Sequence, residues 1–205
     1  MVVPVDFAHR HIVLKHEDVS NLVRIFKTPP PAVPKPLHYG MSARNRFDCP
    51  NKSFGVMYAA FDLTTCFAET ITREKNRDPL QAGGLVVSQA GDINPRWVAT
   101  LQANRPLKLI DATDVGLYNM GAEAGEFNSV NYPVTTQPWA LELFNRPELA
   151  DGILYRSRFL NNRKAVAIFE RGGDNVGVMP AQVVQLEKHP GYYTALQELN
   201  IHLLP

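Results

Sequence analysis

Side chains with catalytic potential are concentrated between Gly40 and Glu74, where the chain reads GMSARNRFDCPNKSFGVMYAAFDLTTCFAETITRE. Arg46 lies in a polar loop, and a guanidinium group carries a fork of donors that binds phosphate oxygens bidentately. Glu69 follows an apolar segment at a spacing that can place its carboxylate beside a cleft. Simpler interpretations stay open: Arg46 as an exposed loop arginine, and Glu69 as a surface residue paired with Arg73 four positions later.

Three more residues are candidates for a binding site: Tyr58 within this stretch, and Arg24 and Ser157 outside it. Arg24 interrupts the apolar segment Leu22–Phe26, where a buried charge requires a partner. Tyr58 lies among apolar residues, so it either packs in the core or presents its ring to a ligand. Ser157 lies in DGILYRSRF between two arginines, and a serine there is often only a turn residue.

Regular elements must bring these residues together. Residues Phe54–Phe61 are apolar and aromatic and predict a buried strand, as does Leu22–Phe26. Asp62 then has the carboxylate of a good helix N-cap. An apolar residue recurs every fourth position after it, which predicts a helix of about three turns carrying Glu69 on the flank of its buried stripe. The stripe consists of Leu63, Phe67 and Ile71.

Apolar runs elsewhere predict six further strands and three further helices. The strands are Leu85–Ser88, Trp97–Leu101, Leu107–Ile110, Gly152–Tyr155, Ala165–Phe169 and Val183–Leu186. The helices are Thr113–Met120, Gln137–Phe144 and Tyr192–Leu199. This order is neither a regular βαβ alternation nor an all-β ladder, so we predict a mixed α+β fold. We expect one domain over residues 1–205, with a core at about 20–187 and a C-terminal helical segment at about 191–200.

Composition excludes several classes of protein. A formal net charge of +1 gives no bulk attraction for nucleic acid or a membrane surface. The chain begins without a signal-peptide pattern and has no run of about 18 apolar residues, so a cytoplasmic protein is expected. The six histidines lack metal-ligand spacing, and Cys49 and Cys66 are expected to be reduced. The proline-rich Thr28–Pro36 predicts an extended loop, and the glycines of Arg171–Gly177 predict a β-turn.

The order of these motifs resembles the RES domain, a family named for its Arg, Glu and Ser. The resemblance rests on VRIF with Arg24, NRFD with Arg46, GVMYAAFDLTTCFAET with Tyr58 and Glu69, and DGILYRSR with Ser157. It spans most of the chain.

The resemblance implies a fold like the catalytic core of ADP-ribosyltransferases and the consumption of NAD as a substrate, with no metal. It also implies a toxin held in check by an antitoxin protein. Phe47 stands where many toxins of the family carry tryptophan. Thr135 and Thr136 match only loosely a polar residue that supports the site in some relatives.

The resemblance also implies a role for each motif residue. Arg24 and Arg46 would clamp the phosphates of NAD and orient it, and Tyr58 would hold or stack the nicotinamide ring. Glu69 would stabilise the oxocarbenium-like transition state formed at the ribose, while Ser157 would help to place the ribose or the nicotinamide amide. The implied catalytic set is therefore Glu69, Arg46 and Ser157.

The acceptor of the ADP-ribosyl group stays open at this point. Water gives a glycohydrolase, inorganic phosphate gives a phosphorylase, and a macromolecular group gives an ADP-ribosyltransferase. A non-catalytic module that binds NAD or another protein is the remaining alternative, with Glu69 as a surface residue.

Overall fold

The computed structural model of the protein describes residues 3–20, 22–28, 35–74, 85–171 and 177–205. Within these residues the chain forms ten β-strands and five α-helices. The strands are β1 (Leu14–Glu17), β2 (Val23–Lys27), β3 (Val56–Ala60), β4 (Leu85–Ser88), β5 (Arg96–Gln102), β6 (Leu107–Ala112), β7 (Gly152–Arg156), β8 (Lys164–Phe169), β9 (Met179–Gln185) and β10 (Ile201–Leu204). The helices are α1 (Leu63–Thr70), α2 (Asp114–Met120), α3 (Ala124–Phe127), α4 (Thr136–Asn145) and α5 (Tyr192–Glu198).

Eight of the strands form one sheet in the order β1-β6-β7-β8-β3-β2-β5-β9. All neighbours in it are antiparallel except β6 and β7, which run parallel. Strands β4 and β10 form a separate two-stranded parallel sheet. The helices follow no regular alternation with the strands, so the predicted mixed α+β class is confirmed.

Strands β2 and β3 are neighbours in the sheet but pair over a short length. Their register contains only the Cα pair Val23 and Ala60. Strand β2 pairs along its whole length with β5, and β3 pairs along its whole length with β8. Because each strand keeps its other neighbour, the sheet opens between β2 and β3 beyond Val23 and Ala60.

Helix α1 begins where the sequence predicts, directly after β3. Asp62 has extended backbone angles, φ −149° and ψ 158°. Its carboxylate accepts hydrogen bonds from the backbone N of Thr65 at 2.7 Å and from Thr65 Oγ1 at 2.7 Å, which is N-cap geometry. The predicted apolar stripe of Leu63, Phe67 and Ile71 is buried. The short loop and the cap therefore fix the direction in which Glu69 projects.

The central strands of the sheet are buried on both faces, and β3 shows this most simply. Val56 and Ala60 belong to the larger core cluster, on the face covered by α1 and α4, and Tyr58 packs against it. Met57 and Ala59 belong to a smaller cluster on the other face. A strand with two buried faces carries a continuous apolar run instead of an alternating pattern.

The predicted elements are found with shifted ends, and three elements were not predicted. Strand β9 begins at Met179, four residues before the predicted start at Val183. Its first half, MPAQ, is largely exposed on the edge of the sheet and carries no apolar run. Strands β1 and β10 likewise contain no buried residue, and the four-residue helix α3 buries only Phe127, so none of the three carries an apolar pattern.

Two predicted loops fall partly outside the described residues. These are Thr28–Pro36, of which residues 29–34 are not described, and Arg171–Gly177, of which residues 172–176 are not described. Cys49 and Cys66 are both free, and both are buried.

Candidate active site

A pocket opens where β2 and β3 separate. It has a volume of about 180 Å³. Strands β2 and β3 form two of its sides, helix α1 a third, and the loop before β3 a fourth. Its polar and aromatic lining residues are Arg24, Asn45, Arg46, Tyr58, Glu69, Arg73, Tyr132 and Tyr155. The fold thus brings Arg24, Arg46, Tyr58 and Glu69 of the predicted site residues to one pocket.

Ser157, the fifth predicted residue, lies behind Glu69 and does not line the pocket. It is 1% exposed. Its Oγ donates a hydrogen bond to Glu69 Oε1 at 2.7 Å, and the backbone N of Arg158 donates to the same oxygen at 3.0 Å. We find no protein donor to Glu69 Oε2 in the described part of the chain. One carboxylate oxygen is therefore held by the protein, and the other is available to a ligand.

Arg46 is buried and forms no salt bridge with a carboxylate of the described residues. Its Nη1 donates to the carbonyl of Arg156 at 3.1 Å and its Nη2 to Asn128 Oδ1 at 3.1 Å. The guanidinium carbon lies 4.8 Å from the centre of the Tyr155 ring and 5.1 Å from that of Phe47. Burial lowers the pKa of Arg46. Its Nε has no hydrogen-bond partner among the described residues.

Arg24, which also lines the pocket, likewise has a buried Nε without a hydrogen-bond partner among the described residues. Its Nη1 donates to the carbonyl of Tyr58 at 3.2 Å, and burial lowers its pKa. Neither Arg24 nor Arg46 forms a salt bridge with a described carboxylate. Because burying an unpaired charge is costly, two such groups in one pocket indicate an anion-binding site.

Tyr58 presents its ring to the pocket while its hydroxyl is used by the protein. The hydroxyl donates to Asp48 Oδ1 at 2.9 Å and accepts from the backbone N of Phe47 at 2.8 Å. Burial and the Asp48 carboxylate raise the pKa of Tyr58 well above its usual value. Its hydroxyl therefore anchors the loop that carries Arg46.

Asp48 organises the same loop and was not singled out in the sequence. It is fully buried, and its Oδ2 accepts hydrogen bonds from Ser42 Oγ at 2.7 Å and from the backbone N of Arg44 and Asn45, both at 3.0 Å. Arg44 itself is exposed and does not line the pocket. Aspartate and asparagine are frequent turn residues, and the loop contains both in Asn45 and Asp48.

Helix α4 supports the loop from the other side. Thr136 Oγ1 donates to the carbonyl of Arg46, and Gln137 Nε2 donates to the carbonyls of Ala43 and Asn45, both at 3.0 Å. Thr135 instead donates to the carbonyl of Asn131 at 2.8 Å. Of Thr135 and Thr136, only Thr136 therefore contacts a pocket residue, through the backbone carbonyl of Arg46.

The simpler interpretation of Glu69 pairs it with Arg73, but the structure places Arg73 against the loop that carries Arg46. The Arg73 Nη2 donates to Asn45 Oδ1 at 3.0 Å across the pocket mouth. Glu69 is oriented instead by Ser157 and Arg158. The carboxylate is thus directed by a buried network that links α1 to the end of β7.

Tyr132 and Tyr155 also line the pocket, and sequence reasoning missed both. Tyr132 precedes α4, and the guanidinium carbon of Arg158 lies 5.8 Å from its ring centre. Tyr155 lies two residues before Ser157 in β7, and period-two alternation from Ser157 leads back to it. That alternation is the signal by which Tyr155 could have been found.

No group of three or more histidine, cysteine, aspartate or glutamate residues converges on a metal-sized site among the described residues. No helix in the described ranges is long and apolar enough to cross a membrane.

Comparisons with known proteins identify the family and a similar fold. The model of the RES domain family matches residues 21–189, so the protein belongs to the RES domain family. Among curated proteins, none matches the sequence. A chain in the crystal structure of the M. tuberculosis MbcT–MbcA toxin–antitoxin complex is similar with a TM-score of 0.57 and 15% identity, over 97% of this chain and 99% of that chain. At this identity the similarity shows a shared fold.

Proposed function

We propose that the protein breaks the bond between nicotinamide and ribose in NAD, as a glycohydrolase or a phosphorylase. One observation carries the proposal: a buried guanidinium group, Arg46, and a half-buried one, Arg24, form no salt bridge with a described carboxylate and share a pocket with Glu69, whose Oε2 accepts from no described donor. The anionic and cationic parts of NAD match these charges. Membership of the RES domain family supports the same substrate.

The charges of NAD explain why one pocket needs both signs. Its pyrophosphate is anionic and suits Arg24 and Arg46, since guanidinium forks bind phosphate oxygens bidentately. Its nicotinamide is cationic and is a good leaving group. The pocket, at about 180 Å³, is smaller than the roughly 300–1,000 Å³ of sites that enclose whole drug-sized ligands. It therefore encloses the reacting half of the dinucleotide and leaves the adenosine half outside.

Glu69 carries the chemical step in this proposal. Departure of nicotinamide leaves positive charge on the ribose, and a fixed carboxylate stabilises that charge more strongly in a buried site than in water. The Oε1 atom is held by Ser157 and Arg158, so Oε2 faces the ribose. Ser157 then acts through Glu69: it fixes the orientation of the carboxylate before the substrate binds.

Nicotinamide release from NAD by purified protein, with and without inorganic phosphate, tests the proposal. Free ADP-ribose as the product identifies a glycohydrolase, and a phosphorylated ADP-ribose identifies a phosphorylase. Labelled NAD incubated with a lysate separates the third reaction, because an ADP-ribosyltransferase fixes the label on a macromolecule. NAD binding without any nicotinamide release indicates a binding module and contradicts the proposal.

We further propose that the activity is toxic and is restrained by an antitoxin protein. The similar fold in a toxin–antitoxin complex supports this. Two apolar side chains close in sequence to the pocket residue Tyr132 are also exposed, Val130 at 74% and Val134 at 56%, and an antitoxin would cover them. Expression of the chain alone is expected to deplete cellular NAD, and a normal NAD pool alongside abundant folded protein would rule out the toxin role.

A further inference from the structure

The three tyrosines of the pocket differ in what their hydroxyls contact. The Tyr58 hydroxyl is bound by Asp48 and by the backbone N of Phe47. Its proton is therefore already donated to Asp48 and is not available to a ligand. Tyr132 lies in the loop before α4, next to the exposed Val130 and Val134. Tyr155 lies in β7, which pairs with β6 on one side and β8 on the other, and it lines the pocket.

Tyr155 combines a fixed ring with a hydroxyl that the protein does not use. The residue is 3% exposed. Its ring centre lies 4.8 Å from that of Phe47 and 4.8 Å from the Arg46 guanidinium carbon. No hydrogen bond to its hydroxyl is found among the described residues. Buried tyrosines usually find a partner for the hydroxyl, so a partner from outside the chain is indicated.

The neighbours of Tyr155 in the sheet leave space beside it. Strand register places Ala112 on one side of Tyr155 and Ala165 on the other, and Ala165 is paired with Ala60. Tyr155 is therefore the one large side chain in a row of alanines. Ala60 and Ala165 line the pocket together with Tyr155. Small residues here form a floor on which a ligand can lie with its polar atoms near the Tyr155 hydroxyl.

The charge around Tyr155 fixes its role in hydrogen bonding. Burial and the negative charge of Glu69 raise its pKa. The hydroxyl therefore keeps its proton at neutral pH and is available as a donor. Glu69, on the same pocket, supplies only acceptors when ionised. The two residues together offer one donor and one acceptor to the same end of a ligand.

We infer that Tyr155 contacts the substrate directly, donating a hydrogen bond from its hydroxyl to an oxygen in the nicotinamide–ribose half of NAD. The inference rests on the proposed function and deepens it. It assigns to Tyr155 the substrate-facing hydroxyl, and to Tyr58 a ring in the pocket wall with a hydroxyl that anchors the Arg46 loop.

The experiment compares three deletions of one hydroxyl: Tyr155→Phe, Tyr58→Phe and, as the matched control, Tyr118→Phe, whose side chain is exposed on α2. Melting temperature, NAD affinity by calorimetry and kcat/KM for nicotinamide release are measured on each. Tyr155→Phe is expected to melt like the parent and to lose about five- to tenfold in kcat/KM, as for one lost hydrogen bond. Tyr58→Phe is expected to melt at a lower temperature because Asp48 and Phe47 lose a buried partner. Tyr118→Phe is expected to match the parent throughout.

Two results overturn the inference while leaving the proposed function intact: a Tyr155→Phe protein with parental kcat/KM, or one that melts far below the parent, which would show that the hydroxyl has a structural partner. If the parent binds NAD without cleaving it, affinity decides: weaker binding by Tyr155→Phe supports the contact, and equal binding overturns it. A parent that neither binds nor cleaves NAD overturns the inference and the proposed function together.

Discussion

Ser157 and Glu69 are joined by a hydrogen bond of 2.7 Å in which the serine is the donor. The Ser157 Oγ also accepts from the backbone N of Phe159 and of Leu160, both at 3.2 Å. With its acceptor positions filled by amides, the hydroxyl directs its single proton to Glu69. The loop after β7 therefore determines the orientation of the carboxylate on α1.

Ser157→Ala removes one of the two donors that orient Glu69, leaving the backbone N of Arg158, and does not change the charge of the pocket. We expect kcat for nicotinamide release to fall about tenfold while KM changes little, because Glu69 is held less firmly and its interaction with the transition state weakens. The variant is expected to lose about 1 kcal/mol of stability. Ser88→Ala is the matched control, since Ser88 caps a helical turn outside the pocket and accepts from the backbone N of Gly91 at 3.1 Å. A Ser157→Ala protein with parental kcat contradicts the role given to Ser157.

Arg46→Met tests whether Arg46 is kept for binding and not for stability. Methionine removes the cost of burying the charge, but it leaves the carbonyl of Arg156 and Asn128 Oδ1 without their donor, so the two effects on stability oppose each other. We therefore expect the variant to melt close to the parental temperature and to bind NAD about 10- to 100-fold more weakly, as for a lost charge-assisted contact. Arg44→Met, at the exposed neighbour, is the control and is expected to retain NAD affinity. Strong loss of stability with unchanged NAD affinity in Arg46→Met is the contrary result.

Ala165→Leu tests the pocket floor. Ala165 borders the pocket although it is only 1% exposed, so leucine is expected to fill ligand space and abolish nicotinamide release, with a loss of about 1–3 kcal/mol of stability through overpacking. Ala167, two residues further along β8, is buried in the same core and does not line the pocket. Ala167→Leu is therefore the matched control, expected to lose about the same 1–3 kcal/mol of stability while it retains nicotinamide release. Full activity in a folded Ala165→Leu protein would show that the substrate binds elsewhere.

Glu148 predicts part of the pH dependence of stability. Its carboxylate accepts from Arg146 Nη2 at 2.7 Å and from Arg146 Nε at 3.0 Å, and the Arg146 hydrogen bond lowers the pKa of Glu148 in the folded state. The folded protein thus binds this proton less readily than the unfolded chain. The stabilisation is complete above the unfolded pKa of about 4.5 and is lost as pH falls through the lowered folded pKa.

Urea unfolding at several values of pH checks this. Glu148→Gln is expected to be less stable than the parent by about 1 kcal/mol at pH 7, and the difference is expected to shrink as pH is lowered from about 5 to 3. A difference that stays constant across that range contradicts the assignment.

The sequence predicted the elements that build the pocket because their signals are local. The Asp62 cap and the apolar stripe of α1 determine a helix start and a buried face within about ten residues. The motif order around Arg24, Arg46 and Glu69 identified the family that the family model confirms. Strand β1 and the first half of β9 were missed because exposed edge strands carry no apolar pattern.

Relations between distant residues were not predictable in the same way. The parting of β2 and β3 depends on strand pairing that no local pattern encodes. The contact between Ser157 and Glu69 spans 88 positions, and it changes the interpretation of Ser157 from a ligand contact to a residue that acts through Glu69. The position of Tyr155 between Ala112 and Ala165 was also not predictable, because it depends on the register between strands that are distant in sequence.

Glu69→Gln tests the central claim most directly. Glutamine retains the shape of the side chain and an oxygen that can accept from Ser157, but it removes the charge that stabilises the developing cation on the ribose. Nicotinamide release, NAD affinity and melting temperature are measured on one preparation of each protein. We predict that Glu69→Gln melts and binds NAD like the parent and releases nicotinamide at least about 100-fold more slowly. A Glu69→Gln protein that folds normally and releases nicotinamide within a few-fold of the parental rate would contradict the account.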